Sequence, residues 1–234
     1  MRVEKVLLFS GGMDSLALAH LWKPDLALFV RMGTTYDGVE EMRLPKLSCP
    51  TTVVDLLLSR FELQDKIIPL RNLFLVAIGA QFGNRIALAA TAGDRVLDKH
   101  PIFAQLTSCL FTYLWQPQYW TPGENITVEL PIKHLTKRQI LEEYERQGGD
   151  LEWLAQNSFS CYQPTPYGNA CGECKPCFRK WVAFKLCGVT VKPDSRPYIK
   201  SVILPLIEAG RYGRKDEEQE ILEALDVQDR VYRQ

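Results

Sequence analysis

The chain has 234 residues, 46% of them hydrophobic and 24% charged, with 28 basic residues balanced by 28 acidic ones. That length suits one large domain or one domain with a small appendix, and the composition excludes a disordered chain. Zero net charge argues against broad electrostatic capture of nucleic acid. No apolar run reaches the length that spans a bilayer, and Met1-Arg2-Val3-Glu4-Lys5 leads into no signal-like core, so a cytoplasmic protein is expected.

Taken in chain order, residues 5–9 read as an apolar strand and residues 14–22 as a helix. Between them lies Ser10-Gly11-Gly12-Met13-Asp14-Ser15. A strand, a glycine turn and a helix together make a phosphate cradle. Gly11 and Gly12 admit positive φ and close ligand approach, and the helix amides and dipole face an anion. Ser10 and Ser15 add hydroxyls. The loop lacks the Gly-Lys-Ser/Thr ending of the usual P-loop. The plainer alternative is a Gly-Gly turn with Ser10 capping the helix.

A second strand is expected at 26–30, a helix start at 40–44 broken by Pro45, and strand or helix at 52–58. Residues 66–68 read as a short strand before Pro69, 73–82 as a helix ending near Gly83, and 85–91 as a strand. A helix follows at 102–115 and a strand at 126–130. Residues 136–147 are a helix whose Thr136 and Gln139 form a capping box and whose stop is Gly148-Gly149. This alternation predicts a Rossmann-like α/β fold: a mostly parallel sheet with helices on both faces and ligands at the strands' carboxyl ends. The expected division is 1–150 for the nucleotide-binding part and 151–234 for a helical, zinc-binding C-terminal region. The charge-rich tail from 214 is read as a solvated helix whose Ile221, Leu222, Leu225 and Val227 dock on the body or a partner.

Cys161, Cys171, Cys174 and Cys177 follow the spacing C-x9-C-x2-C-x2-C. Two-residue gaps let neighbouring thiolates converge on one cation, and Gly172 and Pro176 suit those turns. Four thiolates favour a closed, structural zinc; an iron–sulfur cluster or metal-free thiols are the alternatives. Cys49, Cys109 and Cys187 have no partner at ligand spacing and are read as small core hydrophobes.

The Ser10–Ser15 pattern resembles the PP-loop of ATP pyrophosphatases, of the HUP or adenine nucleotide alpha hydrolase-like class. With the four cysteines, it resembles the 7-cyano-7-deazaguanine synthase (QueC) family of the queuosine precursor pathway, from about residue 6 to 186. Pro69-Leu70-Arg71-Asn72 is similar to that family's Pro-Gly-Arg-Asn element, and the segment through Leu135-Thr136-Lys137 to its Leu-Ser/Asp-Lys segment. The resemblance implies that ATP with Mg2+ is held by Ser10, Gly11, Gly12, Asp14, Ser15, Arg71 and Asn72. Ser10, Asp14, Ser15 and Lys137 would serve catalysis, with Lys137 facing phosphate. The implied reaction adenylates a 7-deazaguanine carboxylate and converts it with ammonia to an amide and then a nitrile. A homodimer is implied, and residues 198–206 would suit its interface.

The likeness has departures. Where the family has Asp-Tyr-Gly-Gln-Arg, this chain has Arg31-Met32-Gly33-Thr34-Thr35-Tyr36. Where the family's substrate loop has Ser-Gly-Tyr-Pro-Asp-Cys, it has Asp98-Lys99-His100-Pro101-Ile102-Phe103. ATP activation survives these changes, and the acceptor is left open. Lys99 or His100 are candidates to touch the acid; Phe103 and Phe111 are able to stack a base, with core packing the plainer use of these aromatics. Alternatives are a relative joining an acid to a protein amine in a defence or phage pathway, a sulfur-inserting tRNA modifier, and a nucleotide-binding module without turnover.

Overall fold

The computed structural model describes residues 2–64 and 66–231, with 226–231 as backbone alone. Five strands, β1 (Val3–Leu8), β2 (Leu26–Arg31), β3 (Thr51–Asp55), β4 (Gly83–Leu88) and β5 (Thr127–Glu129), form one sheet in the order β3-β2-β1-β4-β5. Every pairing is parallel. The order reverses between β1 and β4, which puts a ligand crevice at their carboxyl ends.

The period-two alternation of the strands sorts the core into two layers. Leu7, Ala27, Phe29 and Ala87 face α1 (Met13–Trp22), α5 (Lys137–Arg146), α6 (Leu151–Asn157) and α7 (Lys175–Leu186). Val6, Leu8, Leu28, Ile86 and Leu88 face α3 (Arg71–Phe82) and α4 (Pro101–Leu114). The Rossmann-like architecture is thus as the alternation predicts. Side chains on both sides of residue 150 share one layer: Leu141, Leu154, Phe184 and Ile221 pack in the same cluster as Leu7.

Short helix α2 (Asp37–Glu41) follows β2, just ahead of the expected helix start, and Pro45 sits in a 3-10 turn, Leu44–Lys46. Residues 66–68 are not a strand. Lys66 (φ 66°) and Leu70 (φ 60°) are left-handed, which ends any extended run, and Pro69 offers no donor. The capping box of α5 forms as expected, with Thr136 Oγ1 accepting from Gln139 N at 3.3 Å and Gln139 Oε1 from Thr136 N at 2.9 Å.

The C-terminal part continues as α8 (Arg196–Tyr198), a π turn (Ile199–Ile203), α9 (Leu204–Glu208) and α10 (Lys215–Val231). Ile199 and Ile203 are core residues, so segment 198–206 turns its apolar side inward. In α10, Ile221 and Ala224 are buried and Leu222 is exposed; the side chain of Val227 lies outside the described residues. Cys109 is exposed and Cys49 and Cys187 are half-buried, so none is the fully buried hydrophobe expected. No described helix is long and apolar enough to cross a membrane.

Candidate active site and metal centre

The turn after β1 holds Gly11 at φ 66°. A Cβ there would lie 2.7 Å from the Glu40 carbonyl oxygen, so both conformation and space demand glycine. Gly12 is the N-cap of α1 and brings no side chain to cap it; of the first-turn amides, Met13 N donates to Ser160 Oγ at 3.4 Å. This helix start borders a cavity of about 230 Å³, lined by Ser10, Gly12 and Asp14 among others. Ser15 does not line the cavity. It is wholly buried, donates to Gly12 O at 3.1 Å and accepts from Ser10 Oγ at 3.1 Å. It braces the bend from behind, while the Ser10 side faces solvent.

Lys137, in the first turn of α5, reaches across to form an ion pair with Asp14 Oδ2. The anion that offsets its unfavourable place on the helix dipole is this carboxylate. The other oxygen, Asp14 Oδ1, is buried without a hydrogen-bond partner. Beyond Lys137 lies Asp94, which accepts from Thr91 N at 2.9 Å and from Lys99 Nζ at 3.1 Å. Burial opposes its ionisation, but the charges of Lys99 and Lys137 prevail and hold its carboxyl below the usual range. Lys133 ties this turn down by donating to Thr91 O at 2.8 Å and Asp94 O at 2.7 Å. Alternating carboxylates and ammoniums thus run along one wall of the cavity.

Arg71 and Asn72 open α3 on the opposite wall, and both line the cavity. Asn72 is buried and donates to Asp98 O at 3.4 Å. Tyr36, Glu40 and Tyr162 complete this side. Of the expected residues, Ser10, Gly12, Asp14, Arg71, Asn72 and Lys137 meet at one cavity, whereas Gly11 and Ser15 shape it without lining it. Asp94, Tyr36, Glu40, Tyr162 and Arg179 line it too and escape the sequence reading. Asp94 had a usable signal: it follows β4, the strand across the reversal from β1.

The four cysteines come together. Their sulfurs all lie within 4.8 Å of one another, with Cys161–Cys171 at 3.5 Å, Cys171–Cys177 at 3.9 Å and Cys174–Cys161 at 4.0 Å. Tetrahedral zinc with ordinary Zn–S bonds needs sulfurs about 3.8 Å apart, so the set fits a metal ion such as zinc. Backbone N–H groups of Gln163, Cys171 and Glu173 donate to cysteine sulfurs at 3.3, 3.3 and 3.4 Å, which suits thiolate charge. Cys161, Cys174 and Cys177 are buried, giving a closed shell.

A five-stranded parallel sheet with a glycine-loop cavity at its order reversal and a four-thiol cluster beside it defines a Rossmann-like α/β protein whose cysteine cluster could hold a metal ion. A family model described as Queuosine biosynthesis protein QueC matches residues 47–188, and the chain belongs to that family. The matched span includes Arg71, Asn72, Lys137 and all four cysteines, but not the glycine loop. Among curated relatives, a 7-cyano-7-deazaguanine synthase of Novosphingobium aromaticivorans is 26% identical over 223 residues, covering 79% of this chain and 91% of that protein. Another from Rhizorhabdus wittichii is 44% identical over 55 residues, 24% of this chain and 22% of that protein. A third, from Rickettsia massiliae, is 38% identical over 63 residues, 27% of this chain and 26% of that protein.

Proposed function

We propose that the chain is an ATP-dependent carbon–nitrogen ligase of the 7-cyano-7-deazaguanine synthase type. One observation carries this: the glycine-capped N-terminus of α1 meets the Asp14–Lys137 pair at the sheet's order reversal, inside a family whose relatives bear that name. The first-turn amides, the Ser10 hydroxyl and the Lys137 ammonium suit the polyphosphate of ATP, and Ser15 keeps the bend in shape. Asp14, with one unpartnered oxygen, suits Mg2+ bound with the nucleotide. That ion would offset charge on the phosphates.

The acid's carboxylate oxygen attacks the α-phosphorus, the bond to the bridging oxygen breaks, and pyrophosphate leaves. Ammonia then adds to the acyl carbon, AMP departs, and the amide remains. A second ATP activates the amide oxygen with release of pyrophosphate; loss of AMP and of both amide N–H protons leaves the nitrile. The protein's part is alignment and charge stabilisation, with Lys137 placed to meet negative charge on the leaving phosphates. Zinc is assigned a structural role, because a closed set of four thiolates has no open position to activate water.

A cytoplasmic homodimer belongs to the same proposal. Its contact face is assigned to α4, where Ile102, Leu106, Leu110 and Tyr113 are exposed at helical spacing on a helix without a charged residue. The deciding experiment supplies ATP, Mg2+, ammonia and 7-carboxy-7-deazaguanine. AMP and pyrophosphate are expected, and Asp14→Ala or Ser10→Ala should lower turnover by about 10²–10³-fold with the melting temperature kept. Release of ADP and phosphate would overturn the reading. AMP release only when a protein amine is added would change the acceptor.

A further inference from the structure

The positions expected to touch the acid are occupied elsewhere. Lys99 is held by Asp94 at 3.1 Å. His100 caps α4, its Nδ1 accepting from Ile102 N at 3.2 Å. Phe103 packs against the α3–α4 side of the core, and the Asp98 carbonyl takes the Asn72 amide. Of Lys99, His100 and Phe103, Lys99 alone is among the residues lining the cavity.

The segment after β2 behaves differently. Asp37 is fully engaged in its own turn, accepting from Gly33 N at 2.6 Å, Thr34 N at 3.2 Å and the Thr34 hydroxyl. Its neighbours are not. Tyr36 is 2% exposed, yet its hydroxyl has no hydrogen-bond partner. The Glu40 carboxyl makes no hydrogen bond or ion pair with any described residue, and both line the cavity. The Tyr162 ring lies 5.8 Å from that of Tyr36, tilted by 40°, at the same wall. Gly11 packs against the backbone of Glu40, so this group is immediate to the phosphate loop.

An unpartnered buried phenol costs free energy that a ligand can recover. Burial, then repulsion from Asp37, pushes the Glu40 carboxyl well above its usual range, with Arg71 opposing. A ligand with two adjacent N–H groups would favour its ionised form. A guanine-type edge presents a carbonyl oxygen, a ring N–H and an exocyclic NH2 in a row. One hydroxyl donor and one two-oxygen acceptor answer that pattern, and an aromatic face suits the ring.

We propose that Tyr36 and Glu40 recognise the guanine-type edge of the acid substrate, Tyr36 donating to the ring carbonyl and Glu40 accepting from the adjacent N–H groups, with Tyr162 against the ring. Recognition of the acid then lies after β2, not in the 98–103 loop. This rests on the deazaguanine reading above.

The test measures equilibrium binding of 7-carboxy-7-deazaguanine and of its analogue lacking the 2-amino group, with a non-hydrolysable ATP analogue present. The unaltered protein should prefer the amino form by roughly 10- to 100-fold, since a site built for N–H donors loses paired hydrogen bonds without them. Glu40→Gln should bring the two acids within about threefold of each other. Tyr36→Phe should weaken both acids about equally, roughly 10-fold, with affinity for the ATP analogue unchanged. Full discrimination retained in Glu40→Gln overturns the assignment and leaves the ligase reading intact. So does loss of ATP-analogue affinity in both variants, which would put these side chains on the nucleotide. Failure of the unaltered protein to bind either acid sinks both readings.

Discussion

The glycine loop and the cysteine knot are built from similar parts and put them to opposite use. Each is a tight turn with a left-handed glycine, Gly11 (φ 66°) in one and Gly172 (φ 79°) in the other. In the loop, polar groups are left open: Gly12 brings no capping side chain to α1 and one Asp14 oxygen lacks a partner. In the knot they point inward, with all four sulfurs gathered and three of the cysteines buried. An open set of donors binds and releases; a closed set holds. The two are physically joined. Phe159 N donates to Gly11 O at 2.8 Å and Met13 N to Ser160 Oγ at 3.4 Å, immediately before the first cysteine of the cluster, Cys161. The knot thereby becomes the rear wall of the loop.

The strongest way to break this contrast is at the knot. Cys174→Ala removes a buried sulfur from a four-ligand set, so the remaining thiols lose most of their hold on the metal. Structural zinc contributes on the order of 10 kcal/mol in small domains, comparable with the whole stability of a typical protein. We expect an aggregated or unfolded product with zinc content near zero, measured by metal analysis and thermal melting. A variant that keeps its melt and loses only turnover would place the metal in the chemistry and erase the division between the two regions.

Gly11→Ala strikes the loop with a smaller effect. The new methyl group meets the Glu40 carbonyl at 2.7 Å and forces a left-handed conformation, at a cost of about 1–3 kcal/mol. Thermal melting should fall by several degrees, at about 2–4 °C per kcal/mol for a chain of this size. The KM for ATP should rise about tenfold or more, because the bend that presents the α1 amides is displaced. Equal KM values for the two proteins would remove the loop from nucleotide binding.

Both regions were legible in the sequence because their signals are local. A glycine pair between strand and helix, or cysteines two residues apart, encode geometry within one turn. Thr136 and Gln139 show the same for a helix start. What stayed hidden depends on which chain segments the sheet brings together. Asp94 joins the site because β4 lies beside β1, and the partner of Lys137 turns out to be Asp14, distant in sequence. Ser15 reads as a ligand-facing hydroxyl, yet the first turn of α1 rotates it into the core, where Gly12 and Ser10 satisfy it. Tyr36 closes the stretch that departs from the family pattern and Glu40 lies beyond it, at an expected helix start, so no motif marks either as a binding residue. Residues 66–68 have strand-like composition, but left-handed Lys66 and Leu70 override it.

The mildest test lies between the two regions, at the start of α5. Thr136→Ala removes one half of the capping box, which typically costs about 1 kcal/mol. The melting temperature should drop by about 2–4 °C. The next residue is Lys137, whose ammonium is fixed by Asp14 at its far end. That anchor should keep the lysine in place when the cap is lost, so turnover measured below the melt should change by less than about threefold. A larger loss of turnover at an unshifted melting temperature would show the opposite: that the cap aims Lys137 at the cavity, and that the Asp14 pair alone does not.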